Sequence, residues 1–331
     1  MKTKAFLSGN EAVAEGVRLV NPHVIAAYPI TPQTGVVERL AEMVEDGSLR
    51  AEFLNVESEH SALSAAIGAS AVGARTFTAT SSQGLLYMAE CLHYTSGGRF
   101  PIVMMNANRS LALPWSIYGD HRDSLSLLDS GWIQVYVEDA QESLDMVIQC
   151  YVIAENLKVL TPVMLNLDGF TLTHTYELVE IPTKDEVQEF LPTFDTPYKM
   201  DFENPKNIGF SSTPADNMEF KYQQHKAVLD AKKIIREVDA AFKERFGRGY
   251  GGLIDVYKCD DAEMIVVCLG STTGTCRTVV DELREEGWKV GVLKIRFMRP
   301  FPEEDIIHYT RNTKAVAVID RDISFGYEGT V

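Results

Sequence analysis

Five short apolar runs in this chain each end in residues that can do chemistry. VIAAY precedes Pro29-Ile30-Thr31-Pro32, FLNV precedes Glu57-Ser58-Glu59-His60, and TFTAT precedes Ser81-Ser82-Gln83-Gly84. IVMMN precedes Ala107-Asn108-Arg109, and VMLNL precedes Asp168-Gly169-Phe170. Each reads as a strand followed by a polar loop that can start a helix. In an open parallel α/β sheet, ligands bind just beyond the carboxyl ends of the strands. A carboxylate, an arginine, a threonine and a serine pair brought to one crevice suit an acidic substrate or an anionic cofactor.

Each candidate has a blander reading beside the functional one. Glu59 is a first-turn glutamate of the kind a helix dipole favours, yet residues alternate in direction beyond a strand, so either Glu57 or Glu59 can enter the crevice. Arg109 offers a planar fork that grips a carboxylate with two parallel bonds; its competing fate is a surface ion pair. It precedes SLALPWSIYG, a run with few charges. The Asp120-His121-Arg122-Asp123 cluster that follows reads first as solvated charge, and second as a substrate-covering loop. Thr31 sits between Pro29 and Pro32, which stiffen its turn. His60 and His121 can exchange protons near neutral pH, but no nucleophile signature lies beside them. Ser81 and Ser82 lack a G-x-S-x-G elbow, and no H-E-x-x-H occurs.

The elements that must carry these residues follow from the pattern. With 331 residues, the chain is expected to form two domains. Residues 1–222 form the first, with strands and helices alternating over 1–180 and an irregular, proline-punctuated stretch over 181–222. Gln33–Gly47 has helical spacing, and Ser61–Ala74, rich in Ala, Ser and Gly, reads as a tightly packed helix. Residues 223–250 make a connector, in which an amphipathic helix over Tyr222–Phe246 presents Val228, Ile234, Ile235, Val238, Phe242 and Phe246 on one face. Residues 251–331 form a second α/β unit with strands at MIVVCLG, VGVLKIR and AVAVID. Gly270–Gly274 has neither the lysine of a P-loop nor G-x-G-x-x-G spacing, and reads as a tight turn. The loop-like end at Gly326–Val331 leaves the second unit expected to be incomplete.

Composition sets outer limits. A formal net charge of -16 disfavours non-specific binding to nucleic acid or anionic membrane. No apolar run has the length of a membrane span, and MKTKAFLSGNEAVAEG has almost no signal-type apolar region. The five cysteines are scattered without C-x-x-C, so no metal site is expected on this chain, and reduced thiols fit a cytoplasmic location.

Taken in order, Y-P-I-T-P (Tyr28–Pro32), V-E-S-E-H (Val56–His60), T-S-S-Q-G-L (Thr80–Leu85), N-R (Asn108–Arg109), S-I-Y-G-D-H (Ser116–His121) and L-D-G-F (Leu167–Phe170) resemble the α subunit of multi-subunit 2-oxoacid:ferredoxin oxidoreductases, the pyruvate enzymes most closely. Ala262 through R-F-M-R-P-F-P (Arg296–Pro302) is similar to the domain that follows in that subunit. The resemblance implies an α/β fold: a thiamine diphosphate pyrimidine-binding-type parallel sheet domain, then a transketolase C-terminal-like α/β domain. It implies oxidative decarboxylation of pyruvate to acetyl-CoA and carbon dioxide, or the reverse synthesis, with electrons passed to ferredoxin. Glu59 matches the glutamate that activates the cofactor, with Pro29, Ser82 and Gln83 beside it. Arg109 matches the arginine that holds the substrate carboxylate, Thr31 would hydrogen-bond that carboxylate or the keto oxygen, and Ile117 and Tyr118 would suit a small substrate pocket. Thiamine diphosphate would be shared with a partner. Magnesium and 4Fe–4S clusters would sit on partners among β, γ and ferredoxin-like δ subunits, and coenzyme A would be the co-substrate. Two alternatives stay open: a branched-chain or aryl 2-oxoacid as substrate, and a non-catalytic scaffold subunit.

Overall fold

The computed structural model describes residues 3–209 and 211–331; Met1 and Lys2 of the starting stretch, and Phe210 of the irregular one, lie outside that description. The first unit contains β1 (Thr3–Ser8), β2 (Val24–Ala27), β3 (Glu52–Asn55), β4 (Thr76–Thr80), β5 (Val103–Asn108), β6 (Ile133–Tyr136), β7 (Val163–Asp168) and β8 (Tyr176–Ile181). The second contains β9 (Ile254–Tyr257), β10 (Met264–Cys268), β11 (Val290–Ile295), β12 (Phe297–Arg299) and β13 (Ala315–Val318).

The main sheet has seven strands in the order β12-β6-β7-β5-β4-β2-β3. Six are parallel, and β12 closes one edge antiparallel to β6. The five runs read from the sequence are the contiguous block β7-β5-β4-β2-β3, so their carboxyl ends form one rim. β4, β5 and β7 are buried along their whole length, as strands covered on both faces must be. One cover is the helix Gly9–Val20, started by a capping box between Ser8 and Glu11 and packed on the helix Ala140–Ala154. A smaller sheet in the order β13-β10-β11-β9 forms the second unit, and β1 and β8 pair as an antiparallel ribbon.

Two expectations need correction. The stretch 181–222 is not wholly irregular: it holds a helix at Lys184–Phe190, and the long helix starts at Pro214 rather than Tyr222. The start signal is local. The Thr213 hydroxyl accepts from the Asp216 N–H, and Pro214 takes the first turn, where a missing N–H costs nothing. Ile234, Ile235, Val238, Phe242 and Phe246 are buried as the amphipathic pattern requires.

The two units meet through buried charge. Lys294 on β11 and Arg296 just after it are fully enclosed, and both donate to the Glu142 carboxylate of the Ala140–Ala154 helix, Arg296 Nε at 2.8 Å. Burial by itself would raise the Glu142 carboxyl, but the two cations outweigh it and hold it at about 2. A carboxyl held low stabilises the fold fully above its ordinary value of 4.5, and that contribution is lost as pH falls from there towards 2. Glu142→Gln leaves two buried cations short of a partner, a loss of about 3–5 kcal/mol at neutral pH. Thermal midpoints of wild type and variant should therefore differ at pH 7 and draw together progressively as pH falls from 4.5 to about 2; a gap of constant size over that range would refute the assignment.

Candidate active site

At the rim, β3 leads through Val56 and Glu57 into the helix Glu59–Ala71, capped by the Ser58 hydroxyl accepting from the Ser61 N–H. That cap turns Glu59 inward and leaves Glu57 in solvent: Glu59 is only 8% exposed. Its carboxylate makes no hydrogen bond or ion pair among the described residues. Gly84 is the reason it fits. A Cβ there would stand 2.6 Å from both Glu59 Oε1 and Thr80 Oγ1. The Thr80 hydroxyl is itself buried without a partner. The pocket around Glu59 therefore holds a carboxylate, an unsatisfied hydroxyl and a missing side chain.

Arg109 leaves the end of β5 and is 6% exposed. Its guanidinium donates from Nη1 to the Thr31 carbonyl at 2.6 Å and from Nη2 to Gln83 Oε1 at 2.8 Å. Its Nε has no partner. Both acceptors are neutral, and Arg109 forms no ion pair among the described residues. Burial lowers its pKa, and the fields of Asp123 and Glu59 pull it back up. The Trp115 ring lies over the guanidinium at 6.0 Å. A buried, charged fork without an anionic partner is the chemistry of a carboxylate receptor.

The other expected residues fall around this pair. Pro29 and Thr31 are exposed on the loop after β2, where Thr31 contributes its carbonyl to Arg109. Ser82 is fully buried at φ +50°, with its N–H on Asp123 Oδ2 at 3.0 Å and its hydroxyl against Gln83 Oε1 and the Ser110 carbonyl. Ser82 thus spends its polar groups on the frame, while Gln83 faces Arg109. Ile117 and Tyr118 are exposed on the loop 110–120, and Tyr118 leans on Phe170 with 5.5 Å between rings.

The Asp120–Asp123 run is not the solvated cluster its composition suggests. Asp120 and Arg122 are partly exposed, but His121 and Asp123 are fully buried. His121 Nε2 pairs with Asp168, whose other oxygen accepts from the Ser271 N–H at 2.7 Å and faces Arg321 at 3.3 Å. The expected turn at Gly270 is the docking point: a Cβ there would stand 2.9 Å from Asp168 Oδ2. Burial works against both charged forms, yet each partner's charge outweighs it, raising the pKa of His121 and holding that of Asp168 below the usual carboxylate range. Asp168 at the end of β7 is thus turned to the second unit, and the loop 110–120 is anchored at its far end by both units. Sequence reading missed this knot and Asp123, because a charge's burial depends on which strand ends lie beside it.

Two family models match the chain. One, described as pyruvate flavodoxin/ferredoxin oxidoreductase, thiamine diphosphate-binding, covers residues 15–240. The other, pyruvate:ferredoxin oxidoreductase core domain II, covers 262–331. The chain belongs to the pyruvate flavodoxin/ferredoxin oxidoreductase family. Among its relatives, the pyruvate synthase subunit PorA of Methanothermobacter thermautotrophicus is 50% identical, over 98% of this chain and 85% of that one. The ketoisovalerate oxidoreductase subunit VorA of Pyrococcus horikoshii is 47% identical, over 98% and 82%. The chain is an α subunit of a 2-oxoacid:ferredoxin oxidoreductase.

Solved structures agree on the fold. The 2-oxoglutarate:ferredoxin oxidoreductase from Magnetococcus marinus, with 2-oxoglutarate, coenzyme A and succinyl-CoA bound, superposes with a TM-score of 0.77 at 21% identity. The alignment covers 98% of this chain, which spans 59% of that one. A split-gene transketolase, an inactive β4 tetramer, superposes at 0.53 with 14% identity, over 95% and 78%. These bear out the thiamine diphosphate-type α/β architecture expected from the sequence. Among the described residues, no helix is long and apolar enough to cross a membrane, and no group of three or more His, Cys, Asp or Glu is arranged to hold a metal ion.

Gly84 gives a direct test of the pocket in this oxidoreductase. Gly84→Ala drives a methyl group into the Glu59 carboxylate while leaving helical backbone intact. Proton exchange at C2 of thiamine diphosphate in the assembled enzyme, followed by NMR, should slow by at least about 100-fold, the lower end of the scale for losing a positioned acid–base group. Unchanged exchange would show that Glu59 is not held by this contact.

Proposed function

We propose that this chain supplies the cofactor-activating acid–base group and the substrate-carboxylate receptor of an enzyme that oxidatively decarboxylates pyruvate to acetyl-CoA, or runs the synthesis in reverse. The supporting observation is the pair of nearly buried, mutually unpaired opposite charges, Glu59 and Arg109, on one strand-end rim. Two external partners fit them: a ring nitrogen that shares a proton with the carboxylate, and an anion for the guanidinium.

The residues fit thiamine diphosphate on its pyrimidine side. Glu59 and the unpartnered Thr80 hydroxyl line a recess left open by Gly84. When bound, that cofactor would supply a carbon acid whose carbanion adds to a 2-oxo group, and a ring that takes up the electron pair left behind as carbon dioxide departs. Glu59 would face the pyrimidine edge and exchange a proton with it, and its near-burial would keep water out of that contact. Pro29, Ser82 and Gln83 complete that wall. Arg109 binds the substrate carboxylate, Thr31 adds a hydroxyl, and Ile117 and Tyr118 border the small group at the far end of a 2-oxoacid. The exposed Trp115 ring, 6.0 Å from the guanidinium, adds a cation–π contact at the mouth of the crevice.

The relatives named pyruvate synthase subunit PorA support pyruvate as the substrate. The VorA relatives, at 46–47% identity, support a branched-chain 2-oxoacid as the second reading. The exposed positions of Ile117 and Tyr118 leave room for either until a partner closes over the loop. A substrate panel on the intact complex separates them: kcat/KM highest for pyruvate supports the first reading, and highest for 2-oxoisovalerate supports the second. Partner β, γ and ferredoxin-like δ subunits carry the magnesium–diphosphate site and the 4Fe–4S clusters in this proposal, ferredoxin takes the electrons, and coenzyme A takes the acyl group. The five cysteines here are free and buried, so the chain purified alone should contain no stoichiometric iron; a cluster absorbance in it would overturn this division.

Three substitutions test the roles. Glu59→Gln should leave assembly intact and slow C2 proton exchange by orders of magnitude; wild-type exchange would sink its role. Arg109→Lys keeps the charge and loses the fork, where each charge-assisted hydrogen bond is worth about 1.5–3 kcal/mol. It should raise KM and lower kcat/KM for pyruvate at least about tenfold, with C2 exchange preserved. Thr31→Val should be milder. An unchanged kcat/KM in Arg109→Lys means the carboxylate is held elsewhere.

A further inference from the structure

The Asp123 carboxylate is enclosed on every side, and it is the acceptor on which two strand ends converge. From the turn after β4, the Ser82 N–H donates to Oδ2 at 3.0 Å. From the end of β5, the Arg109 N–H donates to the same oxygen at 3.2 Å. The side-chain amides of Asn106 and Asn108 on β5 donate at 3.3 Å and 2.8 Å, and the Ser124 N–H at 2.8 Å. No cation forms an ion pair with it among the described residues. Five donors therefore converge on one carboxylate. Two of them are the backbone of Arg109 itself and of the residue next to Gln83, and Gln83 Oε1 fixes the Arg109 fork from its other end.

This arrangement is costly. Burial lifts the carboxyl to about 6 in spite of the hydrogen bonds from Asn108, Arg109, Ser82 and Ser124. A tie between two strand ends does not by itself need a charge; a buried neutral amide or hydroxyl can accept from one backbone N–H at each end. An anion does two things a neutral group cannot. It accepts from every side without presenting a proton to any donor, and its field reaches the guanidinium, where it is the largest favourable charge. It also holds Ser82 at φ +50°, a left-handed conformation that a non-glycine residue keeps only when neighbours enforce it.

We infer that Asp123 is a positioning residue for substrate recognition: its carboxylate sets the Arg109 backbone and the Ser82–Gln83 turn in register, so that the guanidinium fork is aimed into the crevice. Asp123 touches neither substrate nor cofactor in this assignment. It acts through Arg109, and so rests on Arg109 being the carboxylate receptor.

The test uses the intact complex. Asp123→Asn keeps the shape, removes the charge and sets an N–H₂ group against donors. KM for the 2-oxoacid should rise, and kcat/KM should fall by about 100-fold, the scale of an ångström-level misplacement. C2 proton exchange should fall far less than kcat/KM, because Glu59 is carried by the helix after β3 and meets the Ser82–Gln83 turn only through Gly84. Combined with Arg109→Lys, the second substitution should add little, since coupled residues are not additive. Asn108→Ser leaves the carboxylate in place but removes an amide that orients it; it should show the same pattern at reduced size, and it decides the matter if Asp123→Asn does not assemble. Unchanged KM in the variant that assembles, exchange lost in step with turnover, or full additivity with Arg109→Lys each overturns the inference. If Arg109→Lys alone has no effect on kcat/KM, the reading of Arg109 has failed first, and the inference falls with it.

Discussion

Two opposite charges buried on one rim would ordinarily seek each other out, and the site depends on keeping them apart. Glu59 and Arg109 are both almost wholly enclosed, and each would lower the free energy of the folded chain by meeting the other. They arrive instead from different strands, β3 and β5, separated in the sheet by β4 and β2. The sheet order is therefore an electrostatic device. It places β4 and its following turn, with Gly84 and Gln83, next to both groups, so that one is accommodated by an absent side chain and the other by a neutral amide.

That choice of neutral contacts decides what the crevice can bind. An arginine engaged by the Thr31 carbonyl and the Gln83 amide is fixed in place yet keeps its charge uncompensated at close range. A carboxylate in the same position would fix it equally well and abolish its appetite for an anion. The compensating charge is set one layer back, behind the backbone, where it can stabilise the cation without competing for the fork. The boundary between the units repeats the theme with the opposite outcome: the Asp168 carboxylate, at the end of β7 in the first unit, is satisfied directly by His121, Ser271 and Arg321, and it is spent on holding the units together.

Much of this was legible in the sequence because strand ends announce themselves. An apolar run of four or five residues followed by polar ones is a local signal, and five such signals fall side by side in one sheet. β6 was missed: Trp132 and Ile133–Tyr136 alternate apolar and polar residues too briefly to stand apart from the loop before them. The start of the long helix was missed because Thr213-Pro214 lies inside a proline-rich stretch, where a proline reads as a break and not as a first turn. Asp123 was misjudged for a different reason. A cluster of two aspartates, a histidine and an arginine is solvated in most settings, and only the approach of β5, β7 and the second unit, contacts distant in sequence, encloses it.

β12 has a consequence of its own. It belongs by sequence to the second unit, yet it lies against β6 and closes the margin of the first unit's sheet, pairing Phe297 with Val135. A sheet margin left bare is a template for pairing with other chains, and β6 is buried along its whole length. The ribosome delivers β6 about 160 residues before β12, a span read directly from their positions. Through that interval the strand that pairs with β6 on its outer side does not yet exist. Until those three residues, Phe297–Arg299, have been made, the first unit's sheet cannot complete the margin it has in the native fold.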